Sequence, residues 1–219
     1  MLLDSIIDIL NESFRNAHVT DDEPVDRRLI QDWILLRRNV YIKNYFNQHG
    51  RTEQNTLQFQ PLDVERYDPS LAIGGISIGK YILRTELCPS IIEGNSGVAV
   101  YEMTSPDITS KTIQIVSFDR LRWCGNGLTN KHTLFSAFYD GRFYIKSNSE
   151  IEKPISKVQV VATFADPTQV TTYVRATDDY STNDYMISYM LNEVKTQDFN
   201  FTRQMPSDQT NNSSGDIQQ

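Results

Sequence analysis

The sequence predicts an α+β fold: an N-terminal helical hairpin, an antiparallel β-sandwich or open barrel, and a C-terminal helix with an extended arm. Apolar residues recur every three or four positions in the first fifty residues, which is helical spacing. From about Thr56 to Tyr173 they alternate with polar residues instead, and helical spacing returns after Asn183. Strands and helices do not alternate along the middle of the chain, so the strands should pair antiparallel.

The first helix is amphipathic. One stripe carries its apolar side chains at spacings of three and four: Leu2, Leu3, Ile6, Ile7, Leu10 and Phe14. The residues from His18 to Asp22 lack this periodicity and should form the turn. The second helix should then begin at Asp22-Glu23-Pro24, because an acidic cap and a proline suit a first turn. We expect it to run to about Gln48 and to end near Gly50.

The second helix is apolar on more than one face. One row contains Leu29, Trp33, Leu36 and Val40, and another contains Ile30, Ile34, Tyr41 and Tyr45. One row can cover the first helix. The other row needs a second partner, which is either the β region or an adjacent subunit.

The clearest β element is a hairpin. Two aromatic-rich runs, residues 135–139 and 142–146, flank Asp140-Gly141. A two-residue hairpin turn requires positive φ at both positions, and Asp-Gly tolerates it. Further short alternating segments surround Val98 to Val100, Ile113 to Ile115 and Val158 to Phe164.

The last helix should be capped by Thr182 or Asn183 and should bury Met186, Ile187, Met190, Leu191 and Val194. The polar residues that follow cannot bury enough apolar surface to order themselves, so we expect another chain to hold them. The predicted organisation is one subunit with a helical hairpin (1–50), an antiparallel β domain (51–180), a C-terminal helix (181–202) and an extended arm (203–219).

Composition and motifs argue against catalysis. The 219 residues carry a formal net charge of −7, whereas DNA-binding proteins normally carry a basic surplus. Cys88 and Cys124 have no His or Cys close in sequence and form no zinc pattern. The chain contains no phosphate-binding loop with its lysine, no HExxH motif and no nucleophile elbow. We therefore expect no catalytic residue, cofactor, metal or membrane span.

The second helix is locally basic. Its cations are Arg27, Arg28, Arg37, Arg38 and Lys43. Three interpretations are open: ion pairs with acidic residues of the same subunit, docking to an acidic partner ring, or contact with DNA phosphates. Arg37 and Arg38 are adjacent and point about 100° apart, so both cannot face one partner.

Both ends of the chain resemble a known family. The segment from Asp26 to Asn44 (DRRLIQDWILLRRNVYIKN) is similar to a helix near the N-terminus of structural proteins from crAss-like podoviruses. The segments from Tyr180 to Lys195 and from Met205 to Asn212 resemble the late helix and the C-terminal extension of those proteins. Such proteins are ring subunits of the head-to-tail connector of tailed bacteriophages.

The resemblance implies a non-enzymatic subunit of a cyclic ring, a dodecamer, that extends the portal channel and joins capsid to tail. Its partners would be copies of itself and the portal or another ring or tail protein, with genomic DNA only passing through the lumen. It would reside in the virion, and in the host cytoplasm during assembly. We expect these interface residues: Arg27, Arg28, Trp33, Arg37, Arg38, Tyr41, Tyr45, Met205, Pro206, Asp208 and Asn211.

Two other function classes stay open from the sequence. One is a tail-associated β-sandwich that binds host carbohydrate or a receptor through aromatics such as Tyr139, Phe143 and Tyr144. The other is a small hydrolase whose site is assembled from residues distant in sequence. Alanine replacement of a catalytic residue would abolish activity without disturbing assembly, which distinguishes a hydrolase from a ring subunit.

Overall fold

The computed structural model describes residues 1–17, 26–67, 81–105, 112–124, 133–147 and 155–199. The helices are α1 (Leu3–Ala17), α2 (Arg27–His49), α3 (Phe118–Leu121) and α4 (Asp184–Glu193). The strands are β1 (Gln58–Tyr67), β2 (Tyr81–Thr85), β3 (Glu93–Gly94), β4 (Gly97–Val98), β5 (Val100–Thr104), β6 (Gln114–Ile115), β7 (Phe135–Tyr139), β8 (Arg142–Ser147) and β9 (Lys157–Ala162). Two N-terminal helices, a sheet and a late helix confirm the predicted α+β class.

The chain forms two compact units. Of the described residues, a helical unit contains 3–17, 26–38 and 183–199, and a β unit contains 1–2 and those between 39 and 182. The helix α2 is continuous and contributes to both units, residues 27–38 to the first and residues 39–49 to the second. The predicted arm at 203–219 lies outside the described residues.

The helical unit buries most of the apolar residues that the sequence predicts, although Leu191 of α4 is only half-buried. Its fully buried apolar side chains are Leu3, Ile6, Ile7 and Leu10 of α1, Ile30 and Ile34 of α2, and Met186, Met190 and Val194 at the C-terminal helix. Burying one such side chain contributes about 1.5–3 kcal/mol of transfer free energy. After Glu193 the chain continues as a π-helix over Val194–Phe199.

Local signals define the helix ends. The Asn183 side chain accepts a hydrogen bond from the Met186 N–H at 2.6 Å, which confirms the predicted cap of α4. Asp26 Oδ1 likewise accepts from the Arg28 N–H at 3.0 Å, at the start of α2. Gly50, with a φ of 66°, ends α2 as predicted, because this left-handed conformation favours glycine. The predicted start of this helix at residues 22–24 and the preceding turn lie outside the described residues.

The β unit contains a seven-stranded sheet in the order β5-β9-β1-β2-β8-β7-β6, beside the two-stranded β3-β4 hairpin. Every described pair is antiparallel except β6 and β7, which are parallel. The expectation of a purely antiparallel sheet was therefore wrong at this edge. The Ile113 N–H donates to the Met103 carbonyl at 2.9 Å, which links the two edges of the sheet. The sheet is thus nearly closed into a barrel, one of the two predicted architectures.

The β7-β8 hairpin confirms the turn predicted from Asp-Gly. Asp140 has a φ of 49° and Gly141 a φ of 69°, so both turn residues are in the left-handed region that this turn requires. The strands on either side pair from Tyr139 with Arg142 to Phe135 with Lys146.

The sheet has apolar side chains on both faces. One face buries the alternating residues Leu62, Met103, Phe143, Ile145, Val158 and Val160. On the other face α3 covers a second cluster formed by Ile82, Leu121, Phe135, Ala137 and Tyr144. The sequence did not predict α3, because four residues are too few for a helical period to be recognised.

Candidate assembly surfaces

Two of the arginines of α2 are ion-paired within the helical unit. Arg27 Nη1 lies 2.6 Å from Asp8 Oδ1, and its Nη2 lies 3.7 Å from Asp4 Oδ1. Arg37 Nη1 lies 3.7 Å from a carboxylate oxygen of Glu193, and both of these side chains are half-buried. These contacts are the intrasubunit carboxylate pairs that the sequence offered as one interpretation of the basic helix.

The remaining cations of α2 differ in exposure. The Arg38 side chain is fully buried although it is charged, and it has interaction partners of its own. A buried guanidinium is inaccessible to a DNA phosphate. Arg28 and Lys43 are exposed on the helix surface. Of the arginines predicted at an interface, Arg27 and Arg28 are therefore the more accessible pair.

The aromatic residues predicted at an interface are half-buried in the single chain. The Trp33 ring lies edge-on to Phe14, with centroids 6.4 Å apart. Tyr45 stacks on His49 at 4.2 Å, and Tyr41 is half-buried as well. Their participation in an interface stays a prediction. The arm residues Met205, Pro206, Asp208 and Asn211 lie outside the described residues.

The helix α2 exposes three of the four members of one predicted apolar row, whereas the fourth, Trp33, is half-buried against Phe14. Leu29, Leu36 and Val40 are 38%, 54% and 38% exposed. The buried run on the same helix is Ile30, Ile34, Arg38, Ile42 and Phe46, one residue every four positions. The sequence showed two rows but could not tell which one the subunit itself covers. The structure assigns the outward position to the row of Leu29, Leu36 and Val40, which we call the α2 row.

A second exposed apolar surface lies on the sheet. Phe59 of β1 pairs with Val161 of β9, and Glu102 of β5 pairs with the same Val161 from the other side. A β-bulge between Val100 and Glu102 inserts Tyr101 here. Phe59 and Tyr101 are 53% and 65% exposed. We call the exposed rings of Phe59 and Tyr101, on either side of the buried Val161, the sheet strip. It was not predicted from the sequence, because a bulge disturbs the alternation that identifies faces.

The aromatics that motivated a carbohydrate-binding alternative are mostly covered. Phe143 is fully buried, and Tyr144 is buried beneath Phe118, so neither offers a free ring face to a sugar. Burial also raises the pKa of the Tyr144 hydroxyl. Tyr139 is partly exposed, but one of its faces stacks on Phe118 with centroids 4.4 Å apart.

The titratable groups of the sheet have structural surroundings. Lys146 is buried, which lowers the pKa of its amino group, and it donates to the carbonyls of Leu121 and Arg122 at 3.3 and 2.7 Å. The hydrogen bond from Arg84 lowers the pKa of the Glu65 carboxyl. Burial raises the pKa of the Cys88 thiol to about 12, so it is protonated at neutral pH and is a poor nucleophile.

Neither a metal site nor a membrane span is found in the part of the chain that the structure describes. No group of three His, Cys, Asp or Glu side chains among these residues could hold a metal ion. None of the described helices combines the length and the apolar character needed to cross a membrane.

Comparison with known families decides the identity. A family described as phage tail ring protein 2, from crAss-like phages, matches residues 4–217, nearly the whole chain. The chain belongs to this family. No curated protein matches the sequence. The predicted resemblance is thereby confirmed, and the protein is a structural component of the phage tail that resides in the virion and assembles with other virion proteins.

Proposed function

We propose that this ring protein forms a closed ring of identical subunits, a dodecamer, in the head-to-tail connector. The ring extends the channel of the portal, joins capsid to tail and lets the genome pass through its lumen without chemical change. Its neighbours are the portal or another ring or tail protein. The subunit is made in the host cytoplasm and has no catalytic role. The observation that carries this proposal is the match to the ring family along nearly the whole chain.

The electrostatics support a passive channel. The chain carries a net charge of −7, and a surface of the same sign as DNA does not retain it. Arg27 and Arg37 are engaged with carboxylates, and Arg38 is buried. Three of the four arginines of α2 are therefore ion-paired or buried within the subunit. Lasting phosphate contacts would also slow the passage of a genome.

The burial of Phe143 and Tyr144 weighs against the receptor-binding alternative. Glycan-binding surfaces require ring faces that are open to the ligand, and only Tyr139 of the three is partly exposed.

The experiment that tests the proposal is a chain-terminating mutation in the phage gene for this protein. Lysates from a non-suppressing host are then examined by electron microscopy, and a suppressing host that restores the full chain is the control. A connector subunit predicts heads and tails that are separate. A receptor-binding protein predicts complete particles that do not adsorb to cells, and that result would contradict the proposal.

A further inference from the structure

A closed ring places a geometric requirement on each subunit. Neighbours in a ring are related head to tail, so one surface of a subunit must meet a different surface of the next copy. A surface that met itself would close a dimer instead. The subunit must therefore present two different surfaces that complement each other.

The α2 row has the properties of the first surface. It follows one continuous helix from Leu29 to Val40, a rise of about 16 Å at 1.5 Å per residue. Leu36, at its centre, is 54% exposed, and Leu29 and Val40 on either side of it are each 38% exposed. Lys43 lies three residues beyond Val40 on the same side and is exposed. The row is thus an apolar stripe with a basic end at Lys43, and the exposed Asp32 lies on the same side near its other end.

The sheet strip has the properties of the second surface. Its two exposed rings stand on β1 and β5, two strand spacings or about 10 Å apart, and Val161 of the intervening β9 is buried between them. Tyr101 reaches solvent because the bulge inserts it opposite Val161. Glu102 lies next to it, paired with the same Val161. The strip is thus an apolar band with an acidic neighbour, opposite in charge to the end of the α2 row.

We propose that the α2 row of one copy docks on the sheet strip of the next copy, and that this contact closes the ring. The inference rests on the proposed ring function and assigns the surfaces that form it. Leu36 and Val40 pack on Phe59 and Tyr101, as a helix packs on a sheet, and opposite charges at Lys43 and Glu102 orient the approach. A standard protein interface covers about 800 Å² per partner, so residues around these two surfaces must also take part.

The test uses two variants that each break one surface. Leu36→Glu places a charge at the centre of the α2 row without loss of helix propensity, since leucine and glutamate are comparable helix formers. Phe59→Asp places a charge in the sheet strip. The matched controls are Gln48→Asp and Arg66→Asp, at exposed positions of the same helix and the same strand but outside both surfaces. Circular dichroism verifies that every variant is folded.

Native mass spectrometry of the purified full chain measures assembly. The wild type and both controls are expected as closed rings, and each interface variant alone as a monomer. The dissociation constant of the contact should rise about 10- to 100-fold for either change. A 1:1 mixture of the two variants should give a heterodimer and nothing larger. In that mixture the intact row of the Phe59→Asp chain meets the intact strip of the Leu36→Glu chain, while the other two surfaces are broken.

The outcomes separate the inference from the function it rests on. Rings formed by either interface variant would overturn the inference and leave the ring function standing. Monomeric variants that do not pair when mixed would show that the two surfaces do not meet, which also overturns it. A wild-type chain that stays monomeric at every concentration would contradict the proposed self-assembly, and the inference with it.

Discussion

The end of α2 is held against the β3-β4 hairpin by one close approach, and Gly94→Ala should disrupt it. A Cβ added at Gly94 would lie 2.5 Å from Phe46 Cδ1 and 2.5 Å from Asn47 Oδ1. Real Cβ atoms do not approach other atoms so closely, so one partner must move. Phe46 is buried and cannot move freely. Asn47 is tied by the Asn95 N–H, which donates to its Oδ1 at 2.7 Å.

The magnitude follows from these two contacts. Overpacking of a buried site costs about 1–3 kcal/mol, and loss of the hydrogen bond that the Asn95 N–H donates to Asn47 costs about 1 kcal/mol more. Gly94→Ala should thus lower the free energy of unfolding by about 2–4 kcal/mol. Urea unfolding followed by far-ultraviolet circular dichroism measures this change, with variant and wild type at the same protein concentration, because assembly also stabilises the fold.

Two further variants test whether the close approach at Gly94 causes the loss of stability. Ser96→Ala changes an exposed residue of the same turn and should cost less than about 0.5 kcal/mol. Asn47→Ala removes one of the two overlaps, so Gly94→Ala should cost about 1 kcal/mol less in that background. If Gly94→Ala costs as little as Ser96→Ala, the close approach does not exist and the account of how α2 is anchored is refuted.

Three smaller predictions follow. Gly141→Ala should lower stability by about 1 kcal/mol, because a side chain is strained at a φ of 69°, whereas Asp140→Asn should change little in a urea melt. Asn183→Ala should lower stability by about 1 kcal/mol through loss of the α4 cap, and a loss below about 0.3 kcal/mol in the same melt would dispute the cap. In a Cys124→Ser background, Cys88 should resist iodoacetamide at pH 8 until urea unfolds the chain, because burial raises the pKa of its thiol to about 12. Rapid labelling of the native protein would contradict this.

Local chemistry explains which parts of the fold were predictable. Asp140 and Gly141 identify a turn because few residue pairs tolerate positive φ twice. Asn183 identifies a helix start because its side chain accepts a hydrogen bond from a backbone N–H of the first turn. Gly50 identifies a helix end because glycine readily adopts the left-handed conformation that terminates a helix. Each of these signals involves a few neighbouring residues. The structure confirms all three.

Tertiary context decided the rest. The parallel β6 has two residues and α3 has four, too few for any period to appear. The buried run of α2 includes Arg38, so hydrophobicity alone could not trace it. Both predicted rows of α2 are apolar, so hydrophobicity also could not show which of them the subunit leaves exposed. Tyr101 owes its exposure to a bulge, which alternation does not predict.

Imaging of the intact particle by electron cryomicroscopy tests the central claim most directly. The account predicts a closed ring of twelve copies on the particle axis between capsid and tail, with a mass of twelve 25.2 kDa chains. Within that ring, Leu36 of each copy should face Tyr101 of the next. Copies found at the tail tip, or arranged without rotational closure around the axis, would contradict it.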